Sequence, residues 1–86
     1  MTKVEVYTSM LCPYCSAAKR LLKGKGISFV EHNVTMDRGG RGKMIARAGG
    51  RTSVPQIFIG DTHVGGCDDL YALEKAGSLD KILVPA

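Results

Sequence analysis

Eighty-six residues with a formal charge of +4 and 44% apolar content suit one small domain, 1–86, with a single core, above the size at which disulfides or metals become obligatory. No apolar run approaches the roughly 20 residues of a membrane-spanning helix, and Met1-Thr2-Lys3-Val4 leads into the first strand without an apolar leader. Three cysteines, two of them close together, do not make a secreted disulfide framework, so the expectation is a soluble monomer of the reducing cytoplasm.

Lys3-Val4-Glu5-Val6-Tyr7-Thr8 alternates apolar and polar and predicts a strand. Ala17, Ala18, Leu21 and Leu22 recur at helical spacing and predict a helix from about residue 13 to 24. Between them lies Cys12-Pro13-Tyr14-Cys15, at a strand-to-helix junction. The first amides of a helix have no internal partner and carry the positive end of its dipole, so Cys12 is placed to react as a thiolate. Pro13 at the first helical position gives up an N–H that would be idle there. Cys15 follows one turn later on the same face, where the two sulfurs can bridge. The chemistry indicated is the making and breaking of disulfides, with Cys12 as nucleophile and Cys15 as resolving thiol. C-x-x-C is also half of many zinc sites, but no second such pair or histidine pair follows; only Cys67, His32 and His63 remain, and no metal site is expected.

Gly24-Lys25-Gly26 ends the helix through a glycine cap. A second strand is expected over 27–34, parallel to the first in a βαβ unit, with His32 as an exposed strand residue. From Thr35 to Lys43 the glycines Gly39, Gly40 and Gly42 obscure the start of the next helix. The tract is a weak phosphate-loop signal, because the Gly-Lys-Ser/Thr ending is absent. Met44, Ile45 and Ala48 supply a short apolar face, and Gly49-Gly50 stops the helix. Nine of the twelve basic residues fall between Lys19 and Arg51, yet aromatics are few and no nucleic-acid module is recognisable, so the basic lobe favours a small anionic substrate over nucleic acid.

Two apolar runs around Gly60-Asp61 predict a tight antiparallel hairpin. Pro55 at the head of the first run lacks a ladder donor. A cis bond at Val54-Pro55 is the favoured explanation, and it leaves the Val54 N–H and C=O free to pair with an extended peptide. Gly65-Gly66-Cys67-Asp68-Asp69 leads into a helix marked by Leu70, Leu73 and Ala76, with the two aspartates suited to its first turn. Its free N–H groups can bind a carboxylate and an Asp side chain an ammonium. A last helix is expected from Ser78 to Leu83, with Pro85 beyond it.

Taken together, Cys12-Pro13-Tyr14-Cys15, Thr52-Ser53-Val54-Pro55-Gln56-Ile57-Phe58 and Gly65-Gly66-Cys67-Asp68-Asp69-Leu70 resemble the three motifs of the glutaredoxin family, dithiol type, in the family's order. The resemblance, from Val4 to about Leu83, implies an α/β, thioredoxin-like fold: a four-stranded mixed sheet with helices on both faces. It implies glutathione as co-substrate with no bound cofactor, and disulfide-containing or glutathionylated proteins as partners, without nucleic acid or membrane. Residue by residue it implies that Tyr14 flanks the glutathionyl sulfur, that Val54, between Ser53 and Pro55, pairs with the glutathione backbone, and that Gly66, Cys67 and Asp68 hold the γ-glutamyl end. Pro13, Gly65 and Asp69 support them. Many members carry lysine where this chain has Ser9, and Arg41, or failing that Arg38 or Lys43, is expected to replace that charge. By analogy Cys67 is a small buried hydrophobe. The alternative is a carrier of an iron-sulfur cluster held through Cys12 and glutathione, against which Pro13 argues.

Overall fold

A computed structural model describes residues 3–83; Pro85 lies outside them. The elements run β1 (Val4–Thr8), α1 (Pro13–Gly24), β2 (Val30–Asn33), α2 (Arg38–Arg47), β3 (Gln56–Ile59), β4 (Thr62–Gly65), α3 (Cys67–Lys75) and α4 (Leu79–Leu83). The strands form one mixed sheet in the order β2-β1-β3-β4. β1 pairs parallel with β2, Val6 opposite Glu31, and antiparallel with β3, Val6 opposite Ile57. β3 returns through Gly60-Asp61 into antiparallel β4. The architecture is the expected thioredoxin-like one.

Side chains of a strand alternate between faces, and both faces of β1 and β3 are covered. Val4, Val6, Ile57 and Ile59 pack with Ala18, Leu22, Leu70, Leu79 and Leu83 of α1, α3 and α4. Tyr7 and Phe58 point the other way, onto Val34, onto Met44 of α2 and onto its C-cap Ala48. The expected single core is therefore two, separated by the sheet. The polar positions of β1 are correspondingly not solvated: Thr8 is buried and donates to Glu31 Oε2 at 2.7 Å. Glu5, 14% exposed, accepts from Arg47 at 3.0 Å and lies 3.1 Å from His32 Nε2. His32 is half-buried instead of exposed, because its ring lies against Tyr7 at 4.7 Å.

Local signals explain most boundaries. Asp37 caps α2, its Oδ1 accepting the Gly40 N–H at 2.9 Å, so the glycine-rich tract is inside the helix. At the end of α1, Gly26 adopts φ +73, its N–H reaches the Lys23 carbonyl, and the Ile27 N–H reaches that of Leu22. This Schellman closure, which favours glycine, consumes residues expected in the second strand, and β2 begins only at Val30. Ala76 is the C-cap of α3 and exposed, not part of its apolar face.

The second sheet face carries one ring from each strand. His32, Tyr7, Phe58 and His63 follow one another at centroid separations of 4.7, 5.6 and 4.9 Å. The Arg47 guanidinium sits 4.1 Å from the Phe58 centroid and donates to Tyr7 Oη at 3.1 Å.

Candidate active site

β1 ends at Thr8, and the chain turns through Ser9, Met10 and Leu11 into α1. The Met10 N–H donates to Thr35 Oγ1 at 2.7 Å, and Leu11 takes φ +55, a left-handed conformation uncommon for a bulky residue. Cys12 is the N-cap of α1: its Sγ accepts the Cys15 N–H at 3.3 Å, using one of the amides that a helix start leaves unpaired. The same sulfur lies 3.8 Å from the Val54 carbonyl. All three cysteines are free thiols. Cys12 is half-buried and reachable, whereas Cys15 is 2% exposed. Burial, and next the hydrogen bond with Cys12, push the Cys15 thiol up to about 12. Of the pair, Cys12 is thus the sulfur open to an incoming disulfide, and Cys15 is held protonated beneath it.

Beside Cys12 opens a groove of about 310 Å³. Tyr14 forms one side, and Ser53, Val54 and Pro55 form another, with the Val54-Pro55 bond cis. Gly66, Cys67 and Asp68, at the start of α3, close the end. Asp69 accepts the Gly66 N–H at 2.9 Å and is held below the usual carboxylate range, first by that bond and also by Arg51. A side chain on Gly65, at φ +115, would run into the Asp69 carboxylate and the Arg51 guanidinium, which explains glycine there. Cys67 is buried in the α1-side core, and burial raises its thiol, with Asp68 adding to the rise.

Of the residues singled out from sequence, the structure thus brings Tyr14, Ser53, Val54, Pro55, Gly66, Cys67 and Asp68 to one groove at Cys12. Arg41 is not among its lining residues; its guanidinium donates to the Thr52 carbonyl at 3.4 Å. The cation that lines the groove is Arg51, 3.4 Å from Asp69. Arg51 adjoins the Thr52-Ser53-Val54-Pro55 stretch, and that adjacency was the available signal.

Gln56 and His63 also gave no sequence sign of a role. Gln56 is fully buried; its amide nitrogen donates to the Ser53 carbonyl at 2.9 Å, and its Oε1 lies 2.7 Å from His63 Nε2. With the amide nitrogen committed to Ser53, the oxygen faces His63, whose proton is therefore on Nε2. His63 is held below its ordinary value, first by burial and then by Arg51. The loop that faces Cys12 is in this way tied through Gln56 to β4.

A model of the glutaredoxin family, described as "Glutaredoxin", matches residues 4–64. Glutaredoxin 3 of Escherichia coli strain K12 is 54% identical over 83 residues, which are 96% of this chain and 99% of that one. The solution structure of a Brucella melitensis glutaredoxin superposes with a TM-score of 0.84 at 52% identity, covering 96% of this chain and 89% of that one. A buckwheat glutaredoxin-glutathione complex superposes at 0.85 with 27% identity, covering 95% and 76%. With an accessible cap thiol over a buried one on a thioredoxin-like sheet, and with these likenesses along nearly its whole length, the chain belongs to the glutaredoxin family of thiol-disulfide oxidoreductases.

Proposed function

We propose that this protein is a glutathione-dependent oxidoreductase, a monomeric single domain of the cytoplasm, that reduces glutathionyl mixed disulfides and protein disulfides through Cys12 and Cys15. The observation that carries the reading is the placement of the Cys12 sulfur, an N-cap acceptor at 3.3 Å from the Cys15 N–H, 3.8 Å from the Val54 carbonyl of a groove offering a backbone edge, helix N–H groups and carboxylates. Glutathione presents two carboxylates, an ammonium and a peptide edge, and the groove has a partner for each. In this reading Val54 pairs with the peptide edge, the Gly66-Cys67 amides take the γ-glutamyl carboxylate, Asp68 takes the ammonium and Arg51 is the cation nearest the remaining carboxylate. That a buckwheat relative forms a complex with glutathione supports glutathione as the ligand.

The Cys12 thiolate attacks the glutathionyl sulfur, the disulfide breaks, and the protein thiol leaves. A second glutathione thiolate attacks the Cys12-glutathione disulfide, releasing oxidised glutathione and regenerating Cys12. With a protein disulfide, Cys15 attacks the Cys12-protein disulfide instead; its proton passes to the departing thiolate, and two glutathiones later reduce the Cys12-Cys15 bridge.

The reading is tested by mixing the protein with a glutathionylated peptide, glutathione, glutathione reductase and NADPH. Consumption of NADPH proportional to enzyme is expected. No consumption, from a protein whose Cys12 still alkylates, would overturn the glutathione dependence. A brown colour in freshly purified protein would point to the cluster carrier.

A further inference from the structure

Ser53 and Val54 share a trans peptide plane, in which the carbonyl and the N–H point opposite ways. Gln56, fully buried, donates from Nε2 to the Ser53 carbonyl at 2.9 Å and to Ser53 Oγ at 3.3 Å. Drawing that carbonyl inward turns the Val54 N–H away from the buried amide, on the side where Ser53 and Val54 line the groove. A side-chain amide is nearly symmetric, a donor on one arm and an acceptor on the other, so its direction depends on what meets each arm. Here Gln56 Oε1 lies 2.7 Å from His63 Nε2. β3 and β4 are out of regular step at this point, Ile57 facing Gly65 but Phe58 facing His63, and such an irregularity re-aims a side chain. The imidazole is steadied by stacking on Phe58 at 4.9 Å. Arg51, Asp69 and Arg47 are the charged groups that act on it, and burial first, then Arg51, hold it below its ordinary 6.5. Near neutral pH it is therefore uncharged, with a single ring proton to donate.

We infer that His63 is a positioning residue for glutathionyl substrates: its Nε2 proton fixes the direction of the Gln56 amide, which through the Ser53 carbonyl aims the Val54 N–H at the peptide edge of the substrate. The inference rests on the oxidoreductase reading above and adds to it a residue that touches no reacting atom. Without that proton the Gln56 oxygen is left without a donor in a buried site, a loss comparable to that of a hydrogen bond. The amide is then free to turn its oxygen toward the Ser53 carbonyl, where two acceptors repel and the Ser53-Val54 plane is released. The effect falls on how firmly the substrate is held and not on the sulfur exchange, because the Cys12 sulfur is held separately by the Cys15 N–H.

The tautomer is read first, in the unaltered protein, from the nitrogen shifts of the His63 ring at about pH 7.5; a proton on Nε2 is expected, and one on Nδ1 would overturn the inference. Variants are then assayed with a glutathionylated peptide, glutathione, glutathione reductase and NADPH. His63→Phe keeps a ring for Phe58 and removes the donor; KM for the peptide should rise about three- to ten-fold, the effect of one buried hydrogen bond, with kcat within about two-fold. His63→Gln, whose amide nitrogen stands close to the Nε2 position, should bring KM back to within about two-fold of the unaltered protein. Added to Gln56→Met, His63→Phe should raise KM no further, since the two substitutions break one chain. An unmoved KM in His63→Phe while thermal stability falls, or a rise that adds to that of Gln56→Met, would overturn the inference and leave glutathione dependence standing. No turnover by the unaltered protein, with Cys12 still alkylating, would overturn both.

Discussion

Cys12 is the helix cap and, in the proposed function, also the nucleophile, and its partner Cys15 is buried with its thiol pushed up to about 12. The two therefore have separable duties. Cys12→Ser should abolish all turnover, because a hydroxyl is not ionised near neutral pH. Cys15→Ser should keep deglutathionylation, where glutathione itself resolves the intermediate, yet lose most protein-disulfide reduction and accumulate a mixed disulfide. Intact-mass measurement before and after dithiothreitol checks this; inactivity on a glutathionylated peptide with Cys12 still titratable would break the division of labour. Gln56 acts at one remove, since it holds the Ser53 carbonyl at 2.9 Å and touches no reacting atom. Gln56→Met removes its hydrogen bonds to Ser53 and to His63; the roughly 1–1.4 kcal/mol of the one to the Ser53 carbonyl should raise KM for glutathionylated peptide about five- to ten-fold, with kcat little changed. A fall in kcat and thermal stability with KM unmoved would assign Gln56 a structural part only.

Among the elements, α2 is the least self-sufficient, with Gly39, Gly40 and Gly42 in ten residues. It is held by the Asp37 cap and by Met44 and Ala48 against the sheet. Nothing stands near the position of a side chain on Gly42, while one on Gly40 would meet the Asp37 carboxylate. Gly42→Ala should then stabilise by about 1 kcal/mol, or roughly 4–8 °C in Tm, and Gly40→Ala should not; calorimetry of both variants checks the cap. The last turn of α2 bears Arg47, which ties Phe58, Tyr7 and Glu5 together. Arg47→Ala should cost about 1–3 kcal/mol, combining a cation-π contact with a part-buried ion pair. Glu5 is held below its ordinary 4.5, first by Arg47. A depressed folded value means that this stabilisation is complete above the unfolded value and lost as pH falls through the folded one. Unfolding followed from about pH 6 to about pH 2 should show a steeper loss in the unaltered protein than in Arg47→Ala; parallel curves would show that the pair does not contribute.

For the molecule as a whole, the charge of +4 is less available than it looks. Lys25 is bound to Glu74 at 2.8 Å and Asp80 at 2.9 Å, joining the end of α1 to α3 and α4. Lys19, Arg47 and Arg51 are paired as well. Arg20, Lys23, Arg38, Arg41, Lys43, Lys75 and Lys81 form no ion pair among the described residues, so the surplus is spread over several helices, and Arg41 of α2 brings part of it to the Thr52 carbonyl beside the groove. If that surplus draws the anionic co-substrate, KM for a glutathionylated peptide should rise several-fold from about 0.01 to 0.3 M salt as the screening length shrinks from about 30 Å to under 8 Å. Arg51→Gln should reduce the slope more than Arg41→Gln. A flat KM across that range would limit the surplus to solubility.

By itself the chain order determined whatever depends on neighbours a few residues apart. Strand alternation, the 3.6-residue spacing of Ala18 and Leu22, the glycine stops and the hairpin at Gly60-Asp61 all belong to this class, because backbone geometry repeats over those distances. So does the dithiol junction, in which Cys12, Pro13 and Cys15 lie within one turn. Tertiary structure alone decided what depends on residues far apart meeting. It covered both sheet faces and made two cores, and it turned His32 inward onto Tyr7. It also placed Arg51 beside Asp69 and made Gln56 the link between Ser53 and His63. A buried polar group must find a partner wherever the fold brings one, and no local pattern records which residue arrives.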